Sequence, residues 1–184
     1  MNCLAWPHLI LQSLKKQAIN NNGMTKKEIQ FEVEVYQSAE ELNEADATLL
    51  ATARSTTEHA YAPYSNFRVG AVASLGDGRQ VAGTNQENAS YPVGICAERV
   101  LLSTLASQYA GIPVDTIAIS YDNRLGQSDH PISPCGICRQ SLTEYEERLK
   151  QPIRLILSGL SGEVFIIKQA RHLLPLSFSA NDFG

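Results

Sequence analysis

Apolar residues recur at every second position from Ile29 through Phe31 and Val33 to Val35, with Gln30, Glu32, Glu34 and Tyr36 between them. A period of two predicts a strand over 29–36 with one polar face, suited to a sheet edge. Ser38-Ala39-Glu40-Glu41 has the spacing of a capping box, and the Ala- and Leu-bearing run behind it meets no proline before Pro63, which predicts a helix over much of 40–61. Two strand-like runs, 67–75 and 79–86, flank Gly76-Asp77-Gly78, a hairpin-turn composition. From Cys96 onward Val100, Leu101, Leu105 and Tyr109 return with helical period, widened by Leu102 and Ala106 and ended by Gly111-Ile112-Pro113. The remaining pattern predicts a buried strand over 114–121, a loop over 122–133, a second helix over 135–150 entered through Pro134, and strands over 153–157 and 164–167. Strands alternating with helices in this order make an α/β layered domain.

A length of 184 residues fits one such domain with a proper core. Residues 1–23 end in Asn20-Asn21-Asn22-Gly23 and precede Met24, so they read as a mobile N-terminal extension, leaving 24–184 as the single domain with its extra N-terminal strand. A net charge of -4 without a Lys/Arg cluster gives no footprint for nucleic acid and favours a small ligand. Leu9-Ile10-Leu11 is too short and too interrupted for a signal-peptide core, and no run approaches a membrane span.

Three of the four cysteines fall into one constellation: Cys96-Ala97-Glu98, then Pro134-Cys135-Gly136-Ile137-Cys138. Alone, the C-x-x-C pair is equally half of a zinc ribbon or a redox pair. A cysteine, a glutamate two residues on and a distal P-C-x-x-C match the zinc deaminase signature, in which the glutamate moves protons without binding metal. Three protein ligands, Cys96, Cys135 and Cys138, leave tetrahedral zinc an open position for water, the arrangement of a catalytic centre; Cys3 as a fourth ligand would make it structural. If both motifs open helices, the thiolates face unpaired backbone N–H groups and the positive helix ends. Arg99 and Arg139 are candidate donors to thiolate sulfur or, equally, surface ion-pair partners. Three of the four cysteines committed to a metal leave no pair for a disulfide, as in a reducing compartment, and point to the cytoplasm.

With Cys96-Ala97-Glu98-Arg99 and Pro134 through Gln140 in place, the chain resembles the cytidine deaminase family, in its small three-cysteine form. The resemblance extends to Tyr64-Ser65-Asn66-Phe67-Arg68-Val69-Gly70-Ala71, to Asn85-Gln86-Glu87-Asn88-Ala89-Ser90-Tyr91-Pro92 and to Leu173-Leu174-Pro175-Leu176-Ser177-Phe178. It implies a three-layer α/β/α sandwich around a mixed sheet of about five strands, one Zn²⁺ per subunit, a homotetramer and hydrolysis of cytidine and 2′-deoxycytidine in pyrimidine salvage. It also implies that Asn85 and Glu87 hold the ribose, that Tyr91 lines that pocket, and that Phe67 packs on the pyrimidine. Phe178 would reach a neighbouring subunit's site, Arg99 would bond the thiolates, and Glu98 would be the proton shuttle. The rival readings are a deaminase of another amino-heterocycle, such as blasticidin S or a purine base, and a zinc-stabilised binding protein without catalysis. Retention of Asn85 and Glu87 favours a nucleoside.

Overall fold

The computed structural model describes residues 24–183, so the proposed 1–23 extension and Cys3 lie outside the described residues. Residues 24–32 belong to a separate unit and form no regular element. The unit that begins at Val33 holds the helices and strands: β1 (Glu34–Tyr36), α1 (Glu44–Thr56), β2 (Phe67–Leu75), β3 (Gln80–Thr84), α2 (Ala97–Gln108), β4 (Val114–Asn123), α3 (Gly136–Leu149), β5 (Arg154–Ser158) and β6 (Val164–Ile167). They build a six-stranded mixed sheet in the order β1-β6-β5-β4-β2-β3. Only β4 and β5 run parallel, because α3 is long enough to return the chain to the same end of the sheet.

Alternation along the central strands decides which helix covers which face. Val72, Ala118, Ile156 and Ile166 project to one side and are covered by Leu49, Leu50 and Ala53 of α1. Their neighbours Ala71, Ala73, Ile117, Ile119, Leu155 and Leu157 project to the other, under Leu101, Leu102 and Leu105 of α2 and Leu142 and Tyr145 of α3. The result is the three-layer α/β/α sandwich. With both faces dry, β4 and β5 read as nearly unbroken apolar runs. Each fully buried leucine or isoleucine contributes about 1.5–3 kcal/mol relative to exposure.

Two elements differ from the sequence-based expectation. The N-terminal strand spans three residues rather than 29–36, since only Glu34 to Tyr36 find partners, Ile166 to Val164 of β6, and β6 itself ends at Ile167. It is an edge strand, but Tyr36 rather than Val35 packs toward the α1 core, and Val35 is half exposed. The first helix starts later than its capping box suggests. Ser38 makes no capping bond to a short 3₁₀ turn, Ala39–Glu41, and the extended Leu42 interrupts the chain before Asn43 caps α1, its side chain accepting from Asp46 N–H at 3.0 Å.

A buried carboxylate fixes the C-terminal segment. Glu146 of α3 accepts from Ile153 N–H (2.7 Å), Ala170 N–H (2.9 Å), and both the N–H and Nε of Arg171 (each 3.0 Å). Backbone donors at a strand start and a 3₁₀ turn are thereby satisfied by one side chain.

The opposite end of the core depends on a missing side chain. A Cβ on Gly83 of β3 would stand 2.5 Å from Leu101 N and 2.6 Å from Ala97 O, inside the backbone of α2. Gly83→Ala therefore pushes α2 off the sheet and should cost roughly 1–3 kcal/mol. Chemical denaturation measures that loss, and an unchanged midpoint would contradict the close packing.

Candidate active site

Cys96 and Cys135 occupy equivalent places, each the N-cap of a helix packed on the same face of the sheet. Their carbonyls accept the first helical bonds, from Arg99 N–H and Val100 N–H for Cys96 and from Arg139 N–H for Cys135. Cys138 lies in the first turn of α3. Contrary to the expectation that the sulfurs face free helix N–H groups, neither N-cap sulfur makes a capping bond. They turn toward one another: Cys96 Sγ is 3.7 Å from Cys135 Sγ, which is 3.5 Å from Cys138 Sγ, and all three lie within 4.8 Å of one another. These separations are far too long for a disulfide. They match the edge of a tetrahedron, about 3.8 Å, around a cation with bonds to sulfur of about 2.3 Å. Among the described residues no fourth His, Cys, Asp or Glu joins this group.

Charge on the sulfurs is mutually linked. Hydrogen bonding from Cys138, aided by Cys135 and by the charge of Arg99 and opposed by burial and Glu98, lowers Cys96 to about 6. The same contact, with burial and the Glu98 charge, pushes Cys138 up. One thiolate in the cluster is favoured and the next is opposed, which is the condition a bound cation relieves.

Glu98, in the first turn of α2, is 5% exposed. Burial raises its pKa, against its own backbone N–H and the Cys138 thiol, which favour the carboxylate. A buried carboxyl whose protonated form is favoured, beside a cluster of sulfurs of which one is exposed, has the environment that acid-base work calls for.

The polar segment after β3 is pinned beside this centre. Gln86 exchanges backbone bonds with Ile95, the residue before Cys96, while Tyr61 N–H donates to Asn85 O and Glu87 N–H to Tyr61 O. Asn85 spends part of its amide on β2, accepting from Val69 N–H at 2.7 Å and donating to Phe67 O at 2.9 Å. One N–H and one lone pair of that amide are left over. Glu87 accepts from Tyr64 N–H (2.8 Å), Ser65 N–H (3.3 Å) and the Ser65 hydroxyl. Burial opposes the Glu87 carboxylate, but the Ser65 hydroxyl and these two N–H groups together hold its pKa down. Ser65 Oγ also accepts from Phe67 N–H, a linking role for which its place in the Tyr64–Phe67 motif was the only sequence signal.

Phe67 stacks on Tyr121 of β4, ring centroids 4.9 Å apart and planes 13° from parallel. Tyr91 is 75% exposed and meets Tyr64 edge to face. Phe178 is 58% exposed, packs against Phe183 and has its carbonyl held by Gln140. Arg99 is half-buried, with its charge favouring the Cys96 thiolate. Arg139, offered as a donor to sulfur, instead donates through Nε to Pro134 O (2.7 Å) and through Nη1 to Leu173 O (3.1 Å), bracing the approach to Cys135 against the C-terminal segment.

The family model for the cytidine and deoxycytidylate deaminase zinc-binding region matches residues 43–150. The chain belongs to the cytidine and deoxycytidylate deaminase family. A cytidine deaminase of Halalkalibacterium halodurans is 36% identical over 74% of this chain and 96% of its own length. One of Sporosarcina psychrophila is 34% identical over 74% and 93%. A crystal structure of cytidine deaminase from Burkholderia pseudomallei superposes with a TM-score of 0.62 at 38% identity, covering 74% of this chain and all of that one. Membership in this deaminase family makes the cation of the three-sulfur cluster zinc and the reaction class a hydrolytic deamination.

Cys138 is the buried member of the cluster, and replacing it leaves two sulfurs that cannot retain the ion. Cys138→Ser should reduce metal content from about one zinc per chain to a small fraction, read by atomic absorption after dialysis. Full zinc occupancy in that variant would exclude Cys138 as a ligand.

Proposed function

We propose that this chain hydrolyses cytidine and 2′-deoxycytidine to uridine and 2′-deoxyuridine with release of ammonia, the chemistry of pyrimidine salvage. The observation that carries the reading is the backbone pairing of Gln86 with Ile95, the residue before Cys96, which ties the segment bearing Asn85 and Glu87, the proposed sugar-binding groups, to the start of the helix that carries Glu98. Cys96, Cys135 and Cys138 would hold Zn²⁺. When bound, the ion supplies Lewis acidity that makes a water acidic enough to attack near neutral pH.

Glu98 would take a proton from the attacking water and pass it to N3 of the base, which makes C4 electrophilic. The water oxygen bonds to C4. Glu98 next transfers the second proton to the amino nitrogen, the C4–N bond breaks, and ammonia leaves as the C4 carbonyl forms. Glu87 and the remaining hydrogen-bonding capacity of Asn85 hold the ribose hydroxyls, with Tyr91 at their side, and Phe67 packs on the pyrimidine. Arg99 offsets thiolate charge. Arg139 steadies the Cys135 loop through Pro134 O.

The solvent-exposed rings of Tyr91 and Phe178 favour an assembly that covers them, a homotetramer in which Phe178 enters a neighbour's site. Residues 1–23 are dispensable to the activity of a 24–184 catalytic domain, because the proposed ligands and substrate contacts all lie between Phe67 and Phe178. The three described cysteines form no disulfide, which suits metal ligands in a reducing cytoplasm, and among the described residues no helix is long and apolar enough to cross a membrane.

Glu98→Gln should keep zinc and fold while lowering kcat about 10²- to 10⁴-fold, followed by loss of the cytidine ultraviolet band. Undiminished turnover would remove Glu98 from the mechanism, and a parent inactive on both nucleosides would redirect the assignment to another amino-heterocycle. The composite site has its own test. Phe178→Ala and Glu98→Gln chains, each impaired alone, should regain activity when co-assembled, since one mixed site then carries both native groups; no recovery contradicts a site shared between subunits.

A further inference from the structure

Phe67 would otherwise be a poorly anchored wall. It begins β2, where its partner across the sheet is Asn123, and its ring is only partly buried. The residue that fixes it is Tyr121, its diagonal neighbour on β4, opposite Val69 and on the same face of the sheet. Tyr121 is almost wholly buried, and its ring lies nearly parallel to that of Phe67 at 4.9 Å, so one face of Phe67 is occupied and the orientation of the other is set.

Tyr121 is in turn held at its hydroxyl. The Tyr121 oxygen is 3.2 Å from His130 Nδ1, and that nitrogen is 3.1 Å from Asp129 Oδ1, so a protonated Nδ1 can donate to both oxygens. The His130 ring also meets Tyr121 edge to face at 5.8 Å. The loop carrying these two residues is itself docked. Ser161 N–H donates to Ser128 O, Asn123 N–H donates to Ser128 Oγ, and Gly159 and Gly162 lie so close to Ser128 and Asp129 that a Cβ on either glycine would collide with that backbone. The β5–β6 turn thus supports the loop, the loop anchors the Tyr121 hydroxyl, and Tyr121 backs Phe67.

We propose that Tyr121, tethered by His130, is a positioning residue for Phe67 and thereby sets how the base is presented to the metal centre. The inference rests on the nucleoside reading, in which the free face of Phe67 packs on the pyrimidine. A positioning residue acts through its partner, so its effect should vanish when the partner is gone. Tyr121→Leu removes the flat backing ring while keeping an apolar side chain, whereas Tyr121→Phe keeps the ring and loses only the tether.

The test is a double-mutant cycle on the zinc-loaded protein, with KM and kcat for cytidine measured in the parent, Tyr121→Leu, Phe67→Leu and the double variant, and with Tyr121→Phe and His130→Ala as conservative companions. Tyr121→Leu should raise KM about three- to tenfold, the range of one aromatic stacking contact, with a smaller change in kcat. It should add little to Phe67→Leu, and Tyr121→Phe should raise KM only about twofold, the low end of what one neutral hydrogen bond contributes. If Tyr121→Leu fails to fold, the Tyr121→Phe and His130→Ala pair carries the test, each with a KM increase of about twofold in the Phe67 background and none in Phe67→Leu. Equal effects in both backgrounds, or no effect in either, in a parent that turns over cytidine overturn the positioning role and leave the nucleoside reading intact. A parent that does not turn over cytidine overturns both.

Discussion

Three sulfurs within 4.8 Å of one another cannot all be thiolates without a cation among them. At an effective dielectric near 20, two unit charges about 4 Å apart repel by about 4 kcal/mol, so three such pairs rival the entire net stability of a domain. Everything around the cluster serves to deliver the sulfurs there despite that cost. Two helices, α2 and α3, start at the same end of the sheet and on the same face, and each begins with a cysteine at its N-cap. Gly83 lets α2 lie against β3, and Arg139 ties the residue before Cys135 to the C-terminal segment that Glu146 holds down.

The same placement makes the centre chemically useful. Cys135 is exposed and Cys138 buried, so the cluster has a wet side and a dry side, and Glu98 stands on the dry side. A carboxylate that burial disposes toward its protonated form can accept and return a proton within one turnover, which a solvated carboxylate does less readily. The Asn85–Glu87 segment is held to the same core by backbone bonds at Ile95 and Tyr61 rather than by a flexible loop, so this segment and the sulfur cluster are fixed relative to one another.

Much of this was legible in the chain. Helical period after Cys96 located α2, two strand-like runs about the turn composition Gly76-Asp77-Gly78 located the β2–β3 hairpin, and the spacing of Cys96, Glu98, Cys135 and Cys138 disclosed the metal centre. What was not legible depends on contacts between distant residues. The N-terminal strand is cut short by the length of β6, a partner more than a hundred residues away. Asn43 displaced Ser38 as the helix cap because Leu42 is extended, a backbone state that residue type does not encode. Arg139 faces carbonyls instead of sulfur because the C-terminal segment brings Leu173 O to it, and Tyr121, read simply as part of a buried strand, backs Phe67 because the β2–β4 register makes them diagonal neighbours.

The measurement closest to the central claim is zinc-edge X-ray absorption on the substrate-free protein. A centre built for hydrolysis should show three sulfur scatterers at about 2.3 Å and one oxygen at about 2.0 Å, the latter replaced or shifted when a nucleoside binds. Four protein ligands, with no light-atom position that responds to substrate, would mean a closed structural zinc and would contradict the catalytic account.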